Sequence, residues 1–309
     1  MATIRFGILL PQFDATWQQA CEVAQAADEA GLDAVWCVDH VLGIPVEDTP
    51  VFEGWTQIAA IAAVTRQVRV GHQVLCVSFR APALLAKMAA TLDVISGGRL
   101  ILGLGAGWYE PEYTQYGYPF PPVATRLAQL GETLEILRAL WTEERTTFAG
   151  KHFTVTRAVC NPKPVQPRLP IMIGGGGEKV LLRLVARHAD VWNNLGAYHA
   201  DVGRKRDVLL GHCRAVGRDP GEIMIAQQTL AAIGTDAATA ARRTAQVFAE
   251  LGFLDGAPEL ALTGTPDEIH ARIARNHALG VTAFTMSFGR RTDPEHVRLF
   301  GHEIVAAYR

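Results

Sequence analysis

RLILGLGAGWYEPEYTQYG, Arg99 to Gly117, is the stretch from which the rest of the chain can be read. It opens as an apolar run, Leu100-Ile101-Leu102, then places glycine at every second position: Gly103, Gly105 and Gly107. Trp108, Tyr109, Glu110 and Glu112 follow at once. Glycine where a strand ends lets a flat ligand or another backbone come close. An aromatic and two carboxylates directly behind it suit the rim of a pocket; a tight strand-to-loop corner without a ligand is the plainer alternative. The spacing is not the dinucleotide fingerprint, which needs G-x-G-x-x-G opening into a helix.

Outward from that strand the same unit recurs: an alanine-rich amphipathic helix, a glycine, a short apolar strand. Strands are expected at 4–10, 33–38, 68–75, 99–104, 170–173, 190–193, 223–230 and 281–287. Asp14 is expected to cap the first helix and Gly31 to end it. Further helices are expected at 55–63, 82–96, 125–141, 178–188, 201–216, 237–251, 266–279 and 294–308. Strands alternating with helices predict parallel pairing with right-handed crossovers. Strands that are apolar throughout are buried on both faces. The expected fold is therefore α/β, a (β/α)8 TIM barrel, with an open doubly wound sheet as the alternative. The run 143–170 breaks the rhythm with strand-like alternation and then prolines, so it reads as an insertion outside the barrel. No linker divides the chain, and 1–309 is expected to be a single domain.

Composition narrows the function. The chain has 309 residues, 49% hydrophobic and 19% charged, which suits a large core and argues against disorder. A net charge of -2 leaves no electrostatic footprint for nucleic acid. The five cysteines are scattered and form no C-x-x-C pair, so neither a disulfide framework nor a zinc site is expected, and a cytoplasmic location fits. The N-terminus lacks the pattern of a signal peptide, and no apolar run approaches the ~20 residues of a membrane helix.

In a barrel the chemistry sits where strands end. Asp39-His40 follows the second strand; a carboxylate and an imidazole there can handle protons near neutral pH, against the alternative of a capping Asp and a surface His. Gly174, Gly175, Gly176 and Gly177 lie between a strand and the helix expected from Glu178. Open backbone N–H groups beside a helix N-terminus make a phosphate cradle; the alternative is a flexible loop, and Glu178 has to turn away as a helix-start carboxylate. Asn193-Asn194 and Gln227-Gln228 offer amides for the edge of a heterocycle or for structural hydrogen bonds. There is no H-E-x-x-H and no G-x-S-x-G, so neither a metal-dependent hydrolase nor a serine hydrolase is favoured. A phosphate cradle with a narrow glycine-lined slot suits a phosphorylated planar cofactor that carries the chemistry itself.

The sequence resembles the luciferase-like monooxygenase superfamily, closest to its coenzyme F420-dependent oxidoreductases. The resemblance rests on AGLDAVWCVDH at 30–40, SFRAPALLAKMAATLDVISGGRLILGLGAGWYEPEY at 78–113, GYPFPPVATR at 117–126, NPKPVQPRLPIMIGGGGEKV at 161–180 and RLVARHADVWN at 183–193. It implies that Asp39 and His40 stand beside a deazaflavin ring, with His40 oriented by Asp39. It implies that Val74, Leu75 and Cys76 form a bulge behind the ring, often with a non-proline cis peptide. It further implies that Gly105, Gly107 and Trp108 line the ring or its side chain, and that Gly175 to Gly177 hold its phosphate; Asn193, from its place at a strand end, joins them as a candidate cofactor contact. In related sugar-phosphate dehydrogenases a glutamate follows the fourth strand; here Trp108 stands at that position and Glu110 two residues on, so Glu110 joins His40 and Asp39 as a candidate catalytic group. The resemblance implies a homodimer acting on a small-molecule substrate. An FMN-dependent monooxygenase fed by a separate reductase, and a non-catalytic flavin-binding protein, are the alternatives.

Overall fold

Eight strands close into a parallel barrel in the computed structural model, which describes residues 4–309. In chain order the elements are β1 (Arg5–Leu9), α1 (Trp17–Glu29), β2 (Ala34–Cys37), α2 (Gly54–Val64), β3 (Arg69–His72), β4 (Leu75–Cys76), α3 (Pro82–Ile95) and β5 (Leu100–Gly105). Then come α4 (Glu110–Gln115), α5 (Val123–Thr142), β6 (Thr146–Ala149), β7 (Thr154–Ala158), β8 (Ile171–Gly174), α6 (Leu181–His188), β9 (Val191–Asn194) and α7 (Val202–Val216). The last are β10 (Met224–Ile233), α8 (Ala237–Leu251), β11 (Leu262–Gly264), α9 (Pro266–Ala278), β12 (Ala283–Ser287) and α10 (Pro294–Glu303). The ring runs β1-β2-β3-β5-β8-β9-β10-β12 and back to β1, every pair parallel.

All eight expected barrel strands are present, two of them altered. The third is split into β3 and β4 around Gln73–Val74, a cis peptide, and β4 pairs on with β5. The seventh runs three residues further, where Ala231–Ile233 pairs with the unexpected β11. The helix expected from Glu178 begins at Leu181, because Glu178–Val180 forms a turn instead. Nor does Asp14 cap α1. Thr16 does, in a reciprocal box with Gln19, while Asp14 holds a left-handed φ of 47° and pairs with Arg291.

The insertion is an antiparallel hairpin, β6–β7, outside the barrel. Its return is pinned by the buried Asp93 of α3, which accepts from Val165 N–H (2.9 Å), Gln166 N–H (3.1 Å) and the Gln166 side chain (2.7 Å). The main core lies between the outer strand faces and the helices. A second cluster fills the barrel itself, around Trp36, Met172, Val191 and Ala226. Trp36 fits there because Gly7 and Gly71 face it; a Cβ at either would collide with the indole.

Candidate active site at the barrel mouth

Because all the barrel strands run one way, their C-terminal ends share one mouth. Beyond β2, the buried Gln12 clamps the chain. Its side chain accepts from Val38 N–H (2.9 Å) and donates to the carbonyls of Val38 (3.0 Å) and Phe52 (2.7 Å). That fixes the two residues that follow, Asp39 and His40.

They have separate partners. Asp39 is buried and accepts two bonds from the Arg80 guanidinium (2.8 and 2.9 Å) and one from Cys76 N–H (2.8 Å). Arg80 also reaches Glu53 at 2.7 Å. Burial opposes charge on both partners, but Asp39 and Glu53 outweigh it and hold Arg80 above its ordinary pKa. Burial pushes the Asp39 carboxyl above its ordinary value while the Arg80 guanidinium and the Cys76 amide pull it back, and the bidentate geometry favours the ion pair. Asp39 therefore anchors β4 and does not orient His40, contrary to the expectation.

Glu112 orients His40. Its buried carboxylate lies 3.0 and 3.1 Å from His40 Nδ1 and accepts from Val41 N–H (2.7 Å) and Leu42 N–H (3.2 Å). A carboxylate only accepts, so Nδ1 is the donor in this pair, which leaves Nε2 as the nitrogen able to exchange a proton with a ligand. Phe13 (6.3 Å), Trp108 (5.8 Å) and Tyr109 (6.3 Å) surround the imidazole, the last two edge-on. Trp108 is 65% exposed, so its indole stands beside His40 in solvent rather than in a core. Glu110, the carboxylate singled out from the sequence, opens α4 and is exposed to solvent. The signal for Glu112 was Pro111: proline in a first helical turn marks a helix there, and its period turns Glu112 and Tyr113 inward together.

The alternating glycines answer to a residue of the chain itself. A Cβ at Gly105 or Gly174 would come within 2.7 or 2.9 Å of a Val74 methyl, and one at Gly103 would strike His72 O with Val74 at 3.2 Å. Val74 thus pushes into a hollow made by three glycines on two strands, with its other side half-open. Gly107, at φ 74°, leaves room for the Tyr113 hydroxyl and Cys76 Sγ, which meet at 3.0 Å. Burial pushes both the Cys76 thiol and the Tyr113 phenol above their ordinary values, so both stay protonated at neutral pH. Leu75 points away, into the core under the helices.

The glycine loop is narrower than four residues. Gly174 belongs to β8. Gly175 donates its N–H to Asn193 O (3.1 Å), and its carbonyl accepts from Trp192 Nε1 (2.8 Å). Among the described residues, the Gly176 and Gly177 amides have no protein acceptor. Glu178 is turned aside by Arg204 at 2.6 Å. Inside the mouth, Gln73 donates to Asn193 Oδ1 (3.0 Å) and Thr285 Oγ1 (2.7 Å), and Asn194 donates to Gln227 Oε1 (2.7 Å) and Tyr198 O (3.0 Å). Three atoms of this fully enclosed layer have no partner: Gln73 Oε1, Asn193 Nδ2 and Asn194 Oδ1. Buried polar atoms are rarely left so. A separate concavity of about 270 Å³ lies over Val77–Ala81, lined also by Tyr118 and Phe153, and shares only Arg80 with the site.

The luciferase-like monooxygenase family model matches residues 4–283, and the chain belongs to that family. An F420-dependent glucose-6-phosphate dehydrogenase of Amycolatopsis mediterranei is 36% identical over 160 residues, 52% of this chain and 48% of that protein. The chain spans about half the length of the curated relatives it matches. A solved F420-dependent secondary alcohol dehydrogenase, in complex with an F420-acetone adduct, has a TM-score of 0.84 over 100% of both chains at 21% identity. Monooxygenase RslO1 of Streptomyces bottropensis has a TM-score of 0.83 over 99% of this chain and 100% of its own, at 24% identity. These two structural likenesses are of fold.

Proposed function

We propose that this family member is an oxidoreductase dependent on coenzyme F420, passing hydride between the deazaflavin and a small organic substrate. The observation that carries the proposal is the His40–Glu112 pair at the mouth, with a free imidazole Nε2 beside the edge-on Trp108 and Tyr109 rings. The F420 dependence of the glucose-6-phosphate dehydrogenase relatives supports the choice of cofactor.

The residues fit a phosphorylated planar group on two counts. Gly176 and Gly177 present free amides suited to a phosphate, and the half-open Val74, seated among three glycines, offers a fixed apolar surface for a flat ring. When bound, the cofactor supplies the hydride acceptor or donor. His40 Nε2 takes the proton of a substrate hydroxyl, or returns one to a carbonyl, and Glu112 neutralises the imidazolium that forms. Trp108 and Tyr109 wall the substrate side. Asp39, through Arg80 and the Cys76 amide, keeps the Val74–Cys76 segment in place. Glu110 has no partner among these groups and takes no part in the proton step. A homodimer acting in the cytoplasm is part of the same proposal.

Direct titration with F420 and with FMN tests it. The expected result is F420 binding at least about tenfold tighter than FMN. Tighter FMN binding with oxygen consumption would make the protein a flavin-dependent monooxygenase fed by a separate reductase. Failure to bind either would leave a non-catalytic barrel.

A further inference from the structure

Beside the free Gly176 and Gly177 amides lies a cation that nothing above uses. Lys205, on α7, is 5% exposed. Its Nζ donates to Gly176 O at 2.7 Å and sits 4.7 Å from the centre of the Tyr198 ring. The nearest carboxylate oxygen, Glu178 Oε1, is 3.5 Å away and is already bound by Arg204 at 2.6 Å. A buried ammonium is costly unless paired and hydrogen-bonded. This one has a neutral carbonyl, a ring face and a share in another residue's partner.

The surroundings hold the ammonium in place. Asn194 Nδ2 bonds Tyr198 O at 3.0 Å, fixing the turn that carries the ring. The next residue, His199, is fully buried, with Nε2 2.7 Å from Asn276 Oδ1 and Nδ1 3.4 Å from Asp255 Oδ1. Gly176 lies close against the same two groups: a Cβ there would lie 2.9 Å from the Tyr198 ring and 3.1 Å from Lys205 Nζ. A larger residue would press against both.

We propose that Lys205 is the cation that binds the phosphate of the cofactor side chain, with Glu178 as its stand-in counter-ion. The phosphate takes the Gly176 and Gly177 amides together with the ammonium, and Arg204 retains Glu178. The inference rests on the F420 proposal for the identity of the phosphate, though not for the existence of an anion site. It gives the site a means of telling a phosphorylated cofactor from its bare chromophore.

The test is a fluorescence titration of wild type, Lys205→Met, Lys205→Arg and Glu178→Gln with three probes. These are F420, the deazaflavin chromophore lacking the phosphorylated side chain, and inorganic phosphate, the last both as competitor and alone by isothermal titration calorimetry. Lys205→Met is expected to weaken F420 binding about tenfold to hundredfold, the scale of one charge-assisted hydrogen bond, with the bare chromophore changed less than about threefold. Lys205→Arg, which keeps the charge, restores most of the F420 affinity. Glu178→Gln tightens F420 severalfold by removing the competing carboxylate, and it tests the inference independently should Lys205→Met fail to fold. Unchanged F420 binding in Lys205→Met, or equal loss for both deazaflavins, overturns the inference, as does weaker F420 binding in Glu178→Gln. If wild type binds neither deazaflavin yet binds inorganic phosphate through Lys205, the anion site stands and the F420 proposal falls. No binding of any phosphate overturns both.

Discussion

Replacing His72 with phenylalanine should remove a large part of the acid sensitivity of this fold. His72 ends β3, is fully buried and stacks on Trp55 at 5.0 Å and 12°. Neither ring nitrogen makes a well-formed hydrogen bond, although the Gly54 backbone lies close. Burial first, and then the Arg80 charge, push its pKa down to about 3, with smaller opposing pulls from the Gly54 backbone and Glu53. In the unfolded chain the same ring titrates near the ordinary value of about 6.5. Between those values the unfolded state binds a proton that the native state refuses, so stability falls as the pH drops through that window and is intact above it. By linkage the loss from this one residue is about 2 kcal/mol at pH 5 and approaches about 5 kcal/mol below pH 3. Phenylalanine keeps the stack and sacrifices no well-formed hydrogen bond, so at pH 7 the variant should match wild type or exceed it by about 1 kcal/mol. Urea unfolding followed by tryptophan fluorescence at pH 7, 6 and 5 reads both quantities. His188 also has a depressed pKa, about 4, but it is present in both proteins and cancels. Equal losses between pH 7 and pH 5 in the two proteins would refute the reasoning. So would a variant much weaker at pH 7, which would reveal a partner for the ring.

Three further changes probe the mouth. Asp39→Asn leaves the mostly buried Arg80 with only Glu53, and should lower stability by about 3 kcal/mol, read as a shift of the urea midpoint. Gly107→Ala must both hold φ 74° and displace the Tyr113 hydroxyl, whereas Gly117→Ala, at φ 75°, meets open space. The first should therefore melt several degrees below the second, each losing about 1 kcal/mol or more to backbone strain alone. Glu112→Gln removes the negative charge facing His40 Nδ1. Turnover should fall about tenfold to hundredfold, while cofactor affinity in a direct titration stays near wild type.

The barrel was legible because its strands are short, apolar on both faces and separated by helices with clear ends such as Gly31. The backbone break at Gln73–Val74 was not, since nothing in QVLC distinguishes it from a continuous strand; only the family resemblance pointed there. Asp39 and His40 were found from their address after β2, but their partners were not. Arg80 and Glu112 lie 41 and 72 residues further along, and such pairings follow from tertiary packing rather than local pattern. The glycine-rich loop was visible, yet its usable amides shrank to Gly176 and Gly177 because Asn193, on the neighbouring strand, takes the N–H of Gly175. Lys205 carried no signal: within GRKRD it is one basic residue among three, and only the fold turns it inward.

Val74 and the glycines that receive it have a consequence for how this protein can change. The side chain touches positions 103 and 105 on one strand and 174 on another, so none of the four is free to drift alone. Lineages that enlarge residue 74 have no smaller side chain left to adopt opposite it. Those that shrink it can accept alanine at 105 or 174. Substitutions at these sites should therefore be inherited as linked sets. A library intended to deepen the mouth should vary residue 74 together with 105 and 174, because a search that varies one position at a time would discard the workable combinations before reaching them.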